Sequence, residues 1–214
     1  MHARAWIYDI PDELARRAIK ATVRNLVETS SGEGELQQFL TEHPWILLST
    51  FVPPWPPALC FPKFKLGNEF ETDFLIVTGV AGCTNCVLVE IEPPNQAMFT
   101  KAGVPADRTR QALKQITDWH GWIDDNRDFF RMEVLRAIRK SSAFQTTSAD
   151  DGAFWGALDP KLFPEWWQPP DFKVITGRRK EKGHPDNKKR RNLSEMHKHT
   201  APLCSWDRLI DAVF

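Results

Sequence analysis

The sequence predicts an α/β protein in which one mixed β-sheet is flanked by helices. Three short segments rich in β-forming residues, each bounded by glycine, asparagine or proline, follow one another at residues 59–66, 70–77 and 86–91. A fourth such segment, 172–176, comes after a long helical stretch. Strands that alternate with helices in this way form one sheet with helices on its faces. We expect the first three strands to form an antiparallel meander and the fourth to join by a crossover.

The helices are predicted from the spacing of apolar residues. Five segments show it: 10–29, 33–42, a long one from about 106, 129–140 and 206–213. Pro11 suits a first helical turn, and Pro44 should end the second helix because it disfavours helical geometry at His43. Three further segments are predicted to be irregular: the proline-rich connection 52–57, an insertion at 141–170 and a basic loop at 178–201.

Charge is balanced over the whole chain but not along it. The 28 basic and 28 acidic side chains cancel, which argues mildly against a dedicated DNA-binding protein, because phosphate neutralisation supplies most of such a protein's affinity. Residues 178–198, however, hold nine Lys and Arg against three acids. Such a strip can contact phosphates, although charge runs are also typical of solvated flexible loops. The candidate DNA-contacting residues are Arg178, Arg179, Lys188, Lys189, Arg190 and Arg191.

The sequence also limits the class of protein. It has no apolar stretch of the about 18 residues that a membrane span needs, and its N-terminus lacks the order of a signal peptide. We expect a soluble, cytoplasmic protein. Cys83 and Cys86, with Cys60 and Cys204, leave open a four-cysteine zinc site, against the alternative of free cysteines in turns or the core.

Acidic residues lie on two neighbouring predicted strands. Glu90 and Glu92 share a face because side chains two residues apart on a strand point the same way. Asp73 lies on the preceding strand, and neighbouring strands are about 4.8 Å apart. Three clustered carboxylates repel one another unless a cation lies among them, so the pattern predicts a Mg²⁺ or Mn²⁺ site. The alternative is that the two glutamates are the solvated face of a half-exposed strand.

The register of this hairpin decides how close the acids come. A turn over residues 79–85, with pairing near Val77 and Val87, would place Asp73 opposite Ile91. A small adjustment of the register, or the twist of the sheet, would then bring Asp73 within reach of both glutamates.

Five segments in order resemble those of one nuclease family. They are 35–45, with its helix and proline turn; 73–92, with its acidic hairpin; 115–122; 172–179, with its arginine pair; and 206–209. This order resembles the PD-(D/E)XK nuclease superfamily and, more narrowly, the Shedu family of bacterial anti-phage nucleases with its DUF4263 domain. The resemblance implies a restriction-endonuclease-like α/β core over 33–214, preceded by an N-terminal helical extension, 1–32.

The resemblance also implies roles for individual residues. Asp73 would be the bridging metal ligand, Glu90 the second, and the backbone carbonyl of Ile91 a third. Glu92 stands where the family pattern usually has a lysine that orients and activates the attacking water. A glutamate there could act as general base or bind a second metal.

Three further residues are candidates by the same resemblance. Gln115 matches a glutamine that related exonucleases use near the site, and Trp119 would follow it one helical turn further along. Glu35 is a candidate accessory residue that would reach the acids from the opening helix.

The implied activity is that of a Mg²⁺- or Mn²⁺-dependent DNA endonuclease in phage defence. Two other classes stay open: an inactive nuclease-fold module that binds DNA or a protein partner, and an interaction domain that uses the Trp-rich segment 154–168. The sequence also leaves open whether regulation rests with a partner or with assembly into a homo-oligomer.

Overall fold

A computed structural model describes residues 11–30, 32–52, 58–80, 83–141, 167–180, 183–197 and 202–213, and the backbone of residues 4–5. Within these residues the chain forms six strands and seven helices. The strands are β1 (Arg4–Ala5), β2 (Ala58–Leu66), β3 (Phe70–Val80), β4 (Cys83–Ile91), β5 (Asp171–Ile175) and β6 (Leu203–Cys204). The helices are α1 (Glu13–Thr29), α2 (Gly34–Glu42), α3 (Trp45–Phe51), α4 (Asp107–Asp125), α5 (Arg127–Lys140), α6 (Pro185–Met196) and α7 (Trp206–Ala212).

The strands form one mixed sheet in the order in which they occur along the chain. β1 to β4 are antiparallel to their neighbours, whereas β4, β5 and β6 run parallel. The predicted meander of β2, β3 and β4 is confirmed. So is the crossover to β5, because a parallel neighbour can be reached only by crossing the sheet.

Each face of the sheet is covered by helices. One apolar cluster packs α4 and α5 against the sheet, with Ile116 and Trp119 from α4 and Val134 from α5. The other cluster packs α1, α2, α3 and α7 against the opposite face. Because Val23 and Val27 of α1 lie in the same cluster as α2, the first helix belongs to the core of the fold. The predicted flanked-sheet architecture is confirmed.

The β3–β4 hairpin is tighter than predicted. Its strands stay paired as far as Val80 and Cys83, so the predicted turn over 79–85 is wrong. Val77 pairs with Cys86 rather than with Val87, a shift of one residue. β-branched and small residues in this stretch continue the ladder, and this tighter register moves Asp73 one position along β4.

Several other boundaries differ from the prediction. Helix α1 begins at Glu13, because the Asp12 side chain accepts a hydrogen bond from the Ala15 amide and caps it, which leaves Pro11 outside the helix. Helix α3 was not predicted, nor were the two-residue strands β1 and β6. The predicted basic loop 178–201 contains α6, whose first residue is Pro185, a favoured residue in a first turn. Residues 53–57 and 142–166 lie outside the described residues.

Gly177 ends β5 at a tight approach of two segments. Its φ is 60°, and a Cβ added there would lie 2.6 Å from the Met98 side chain. Glycine therefore lets the loop after β4 pass close to the end of β5. None of the helices in the described ranges combines the length and apolar character needed to cross a bilayer.

Candidate active site

Asp73 lies where the β3–β4 ladder ends. The final pair of the ladder joins Phe74 to Val89, so the next step along both strands brings Asp73 beside Glu90. The Ile91 backbone N–H donates to Asp73 Oδ2 at 2.8 Å, and Asp73 is only 5% exposed. A buried carboxylate that accepts a backbone hydrogen bond is held in one orientation. The structure thus places Asp73 and Glu90 together.

Lys63, which no sequence pattern indicated, contacts the same carboxylate. It faces Asp73 across the β2–β3 ladder, between the pairs formed by Pro62 and Phe64. Lys63 Nζ lies 2.7 Å from Asp73 Oδ1, and the lysine side chain is 41% exposed. Burial by itself lowers the pKa of Lys63, but the hydrogen bond and charge of Asp73, with Glu71 and Glu90, outweigh it and raise that pKa. Asp73 is therefore held from both sides.

Glu90 is a buried acid next to another acid. Burial is the largest cause that raises the pKa of Glu90 to about 9, followed by the charges of Asp73 and Glu92. A hydrogen bond with Asp73 acts in the same direction. Without a cation, these causes favour the protonated form of Glu90 at neutral pH.

Glu92 lies on the same face of the sheet as Glu90, but one residue beyond the end of β4. Its backbone is fixed at two points: its N–H donates to the Ile175 carbonyl at 2.8 Å, and its carbonyl accepts the Trp206 indole N–H at 2.7 Å. Its carboxylate faces helix α4, where Arg108 Nη1 lies 3.5 Å from Glu92 Oε2. Burial raises the pKa of Glu92 to about 7, against Arg108, which lowers it.

The acids supply oxygen donors of the kind that a hard divalent cation binds. Asp73 and Glu90 are buried carboxylates whose mutual repulsion a cation would relieve. Glu92 Oε2 is buried, and its neighbour is Arg108 Nη1 at 3.5 Å, too long for a hydrogen bond. The side chains do not converge on one point, however: among the described residues no three His, Cys, Asp or Glu side chains are arranged as an ion site. Asp73 and Glu90 fit such an ion directly, and Glu92 would have to turn from Arg108.

A fourth acid comes from the start of helix α2. Glu33 Oε2 lies 3.9 Å from Arg108 Nη1, and its charge raises the pKa of both Glu90 and Glu92. Glu35 was the residue expected in this position from the sequence. Glu35 Oε2 instead accepts a hydrogen bond from Ser30 Oγ at 2.9 Å. The helix begins one residue later than predicted, at Gly34, and its capping residue is the one near the acids.

Helix α4 contributes Arg108 to the site. Arg108 and Gln115 are seven residues apart and Trp119 four further on, which places all three on one side of the helix. Gln115 is half-buried, and Trp119 is fully buried in the core between α4 and the sheet. Arg108 is the residue of this helix that pairs with Glu92 and Glu33. Sequence reasoning missed it because a charged residue in a first turn resembles ordinary surface.

A comparison with protein-family models matches residues 30–210 to the C-terminal region of the Shedu protein SduA. The chain belongs to this Shedu SduA family. The match begins at the end of α1 and runs into α7, so it contains all four acids and both cations described above. Membership supports a Shedu-type role in defence against phage. The comparison with curated proteins gave no match.

In this Shedu family member the arginine pair after β5 is already bound to acids. Arg178 Nη2 lies 3.0 Å from Asp207 Oδ1, and Arg179 Nη2 lies 3.0 Å from Asp211 Oδ2. Both acids are on α7. The pair therefore fastens the end of β5 to the closing helix, a structural role that could not be foreseen from the charge run alone.

The basic residues of α6 are in more varied surroundings. Lys189 pairs with Asp186 at 3.0 Å and lies over the Phe99 ring. Arg190 is half-buried, and its Nη1 has no hydrogen-bond partner among the described residues. Lys188 and Arg191 are both exposed. The helix thus keeps part of its charge available for phosphate, and part is used in packing.

A cavity of about 250 Å³ lies between α6 and the loop that follows Glu92. Residues 94–99 form one wall, and Arg178, Lys180 and Arg190 line the other with Asp186 and Asn187. The loop starts two residues after Glu92. The wall formed by residues 94–99 is therefore joined to Glu92 by a short length of chain, and the basic side chains lie across the cavity from it.

The four cysteines do not come together as a zinc site. Cys86 packs in the cluster under α4 and α5, whereas Cys60 and Cys204 pack on the other face of the sheet. Burial raises the pKa of the Cys60 and Cys86 thiols to about 12 and that of Cys204 to about 11. These three are inert core cysteines, the alternative that the sequence had left open.

Proposed function

We propose that this chain is a divalent-metal-dependent DNA nuclease with a core of the PD-(D/E)XK type, acting in phage defence. The observation that carries the proposal is the contact between Asp73 and Glu90, two buried carboxylates on neighbouring strands. Such a pair is unfavourable in a protein unless it shares a proton or binds a cation. At the end of the β3–β4 ladder, the pair has the chemistry of a metal centre for phosphodiester hydrolysis.

Each side chain has a part in this reaction. Bound Mg²⁺ or Mn²⁺ would supply charge to stabilise the phosphate and lower the pKa of a water nucleophile. Asp73 would be the first oxygen ligand, and its carboxylate is oriented by the Ile91 N–H at Oδ2 and by Lys63 at Oδ1. Glu90 gives the second oxygen ligand, and we expect the Ile91 carbonyl to give a third. Glu92, with a pKa of about 7, suits a general base at neutral pH or a ligand for a second ion.

The test is DNA cleavage with Mn²⁺ by wild type and Asp73→Asn. We expect the variant to lose at least about a hundredfold in rate, as when a group that stabilises transition-state charge is removed. Asp128→Asn, whose side chain is 95% exposed on α5, is the matched control and should cut like wild type. A chelator should abolish cleavage in both active proteins. Equal cleavage by Asp73→Asn, with its fold checked by thermal melting, would contradict the proposal.

One observation favours a second candidate, a module that binds DNA or protein without cutting. Glu92 occupies the position at which the family pattern usually has lysine, and its carboxylate is turned towards Arg108. For this candidate, wild type and Glu92→Ala would both bind DNA, and neither would cut it with Mg²⁺ or Mn²⁺. Cleavage by wild type alone rejects this second candidate.

DNA contact is expected at the outer side of α6. Replacing Lys188 and Arg191 together by alanine should weaken DNA binding several-fold for any sequence and reduce the salt dependence by about two counterions. The measurement is fluorescence anisotropy at several salt concentrations, with Ca²⁺ in place of Mn²⁺. Lys20→Ala/Arg24→Ala on α1 is the control. An unchanged salt slope would remove α6 from the DNA interface.

A further inference from the structure

Lys63 has a backbone conformation that its residue type does not favour. Among the described residues it is the one non-glycine residue with a positive φ, 50°, and it lies in the middle of β2. For an L-residue with a Cβ atom, this left-handed region is sterically unfavourable. Conformations of this kind persist where the surrounding structure holds them, and they are concentrated at functional sites.

At this residue, the set of β2 side chains that point towards α4 and α5 changes. Before Lys63, the residues that face the α4–α5 cluster are Leu59 and Phe61; after it, they are Phe64 and Leu66. The alternation therefore shifts by one residue at Lys63. Two residues of β2, Pro62 and Lys63, lie between core positions instead of one, while the pairing register with β3 is the same on both sides of Lys63. Lys63 lies opposite Asp73, and its Nζ is 2.7 Å from the Asp73 carboxylate.

Two cations touch the acids, and they differ in where they come from. The Arg108 guanidinium is on a helix and lies 3.5 Å from Glu92 and 3.9 Å from Glu33. The Lys63 ammonium is on the sheet and lies 2.7 Å from Asp73, the expected bridging ligand. Of these two, Lys63 is the one that brings an ammonium to the carboxylate pair itself.

We propose that Lys63 serves as the lysine of this site, delivered from β2 instead of from the Glu92 position on β4. This inference rests on the proposed nuclease function. Lys63 is a positioning residue: its ammonium fixes Asp73 and supplies a positive charge with further N–H donors beside the carboxylate pair, where the phosphate and attacking water meet. This role uses only the charge and hydrogen bonds of the ammonium.

The contact between Lys63 and Asp73 leads to a second expectation. Lys63 and a divalent cation are attracted to the same carboxylate, so each weakens the hold of the other. Removing the ammonium should tighten the binding of Mn²⁺ while it slows cleavage. A residue that only maintained the fold would give losses in both.

The experiment compares Lys63→Met, Lys63→Met/Glu92→Lys and the control Lys65→Met, an exposed lysine two positions along the same strand. We expect Lys63→Met to lower the single-turnover cleavage rate about a hundredfold at unchanged DNA affinity, as when one charge-stabilising group is lost. It should also show a larger Mn²⁺-induced rise in melting temperature than wild type. In the double variant a lysine returns to the β4 position, and part of the lost rate should return with it. Lys65→Met should behave as wild type in all three measurements.

Three results would overturn this role. Cleavage by Lys63→Met at the wild-type rate would reject the role of Lys63 and leave the nuclease function standing. Slower cleavage together with a smaller Mn²⁺-induced rise in melting temperature would also reject it, because that combination indicates structural damage. A wild-type protein that is stabilised by Mn²⁺ but cuts no DNA would reject the nuclease function itself, and the role of Lys63 with it.

Discussion

The two ends of the acidic cluster are built differently. At one end, Asp73 and Glu90 lie on neighbouring β-strands, and Nζ of Lys63, from the same sheet, lies 2.7 Å from Asp73 Oδ1. At the other end, Glu92 faces helices, and its cation, Arg108, is 52% exposed and lies at 3.5 Å. The first end is rigid because it depends on strand pairing. The second can change, because Arg108 has a flexible side chain and is shared with Glu33.

For the proposed metal site, this difference would leave one end prepared for a cation before one binds. The Asp73–Glu90 end already has its oxygens in place, at the cost of a buried acid pair. The Glu92 end is closed by an ion pair that exchanges readily with solvent or with another cation. In the proposed metal site, Asp73 and Glu90 would hold the cation, and Glu92 would have to turn from Arg108 to join them.

The largest effect that tests this comparison concerns the stability of the metal-free protein. The pKa of Glu90 is raised from 4.5 to about 9, so the unfolded chain ionises this group first as pH rises. Its contribution to stability is therefore complete below about pH 4.5 and is lost between there and pH 9. Glu90→Gln removes this titration. At pH 8.5 with EDTA, we expect it to raise the free energy of unfolding by at least about 1 kcal/mol, the equivalent of one pKa unit.

Glu92→Gln is the matched comparison. Because the pKa of Glu92 reaches only about 7, its loss of stability should end near pH 7, and the gain from the substitution should be smaller. Urea unfolding at about pH 5, 7 and 8.5 measures both variants, since these values bracket the two titrations. Equal gains in the free energy of unfolding would show that the two ends are alike. No gain from Glu90→Gln would contradict the raised pKa of Glu90.

The smallest effect is expected at Arg108. Arg108→Ala removes the charge that lowers the pKa of Glu92, and the pKa of Glu92 should therefore rise above 7. The free energy of unfolding should then go on falling to a higher pH than in wild type. The change should stay within about 1 kcal/mol, because the pair is partly exposed and screened by solvent. Melting temperature between about pH 6 and 9 is the measurement, with Arg110→Ala on the same helix as control. Identical profiles would show that Arg108 does not act on Glu92.

Sequence patterns predicted the central elements well because their signals are local. The alternation of Val89 and Ile91 with the two glutamates indicated which face of β4 carries the acids, and the apolar spacing of α4 indicated its buried side. The register of the hairpin was wrong by one residue, since it depends on where the turn closes. Correcting that one residue moved Asp73 from opposite Ile91 to opposite Glu90.

The residues that were missed share a physical cause. Lys63 lies between Pro62 and Phe64 in a segment that resembles an ordinary strand, and no pattern indicates its positive φ. Arg108 and Glu33 come from separate helices, 16 and 59 residues from Glu92. The basic loop 178–201 was misjudged because its charges concealed a helix that needs only one buried face, at Leu193.

The sequence by itself determined the flanked mixed sheet and the strands that carry Asp73, Glu90 and Glu92, because period-two and helical patterns record which side of each element is buried. Only the tertiary structure decided which carboxylates meet and which cation each one receives. Those contacts join residues distant along the chain, and they are set by strand register, by one left-handed residue and by the way helices pack on the sheet. None of these leaves a periodic signal in the sequence.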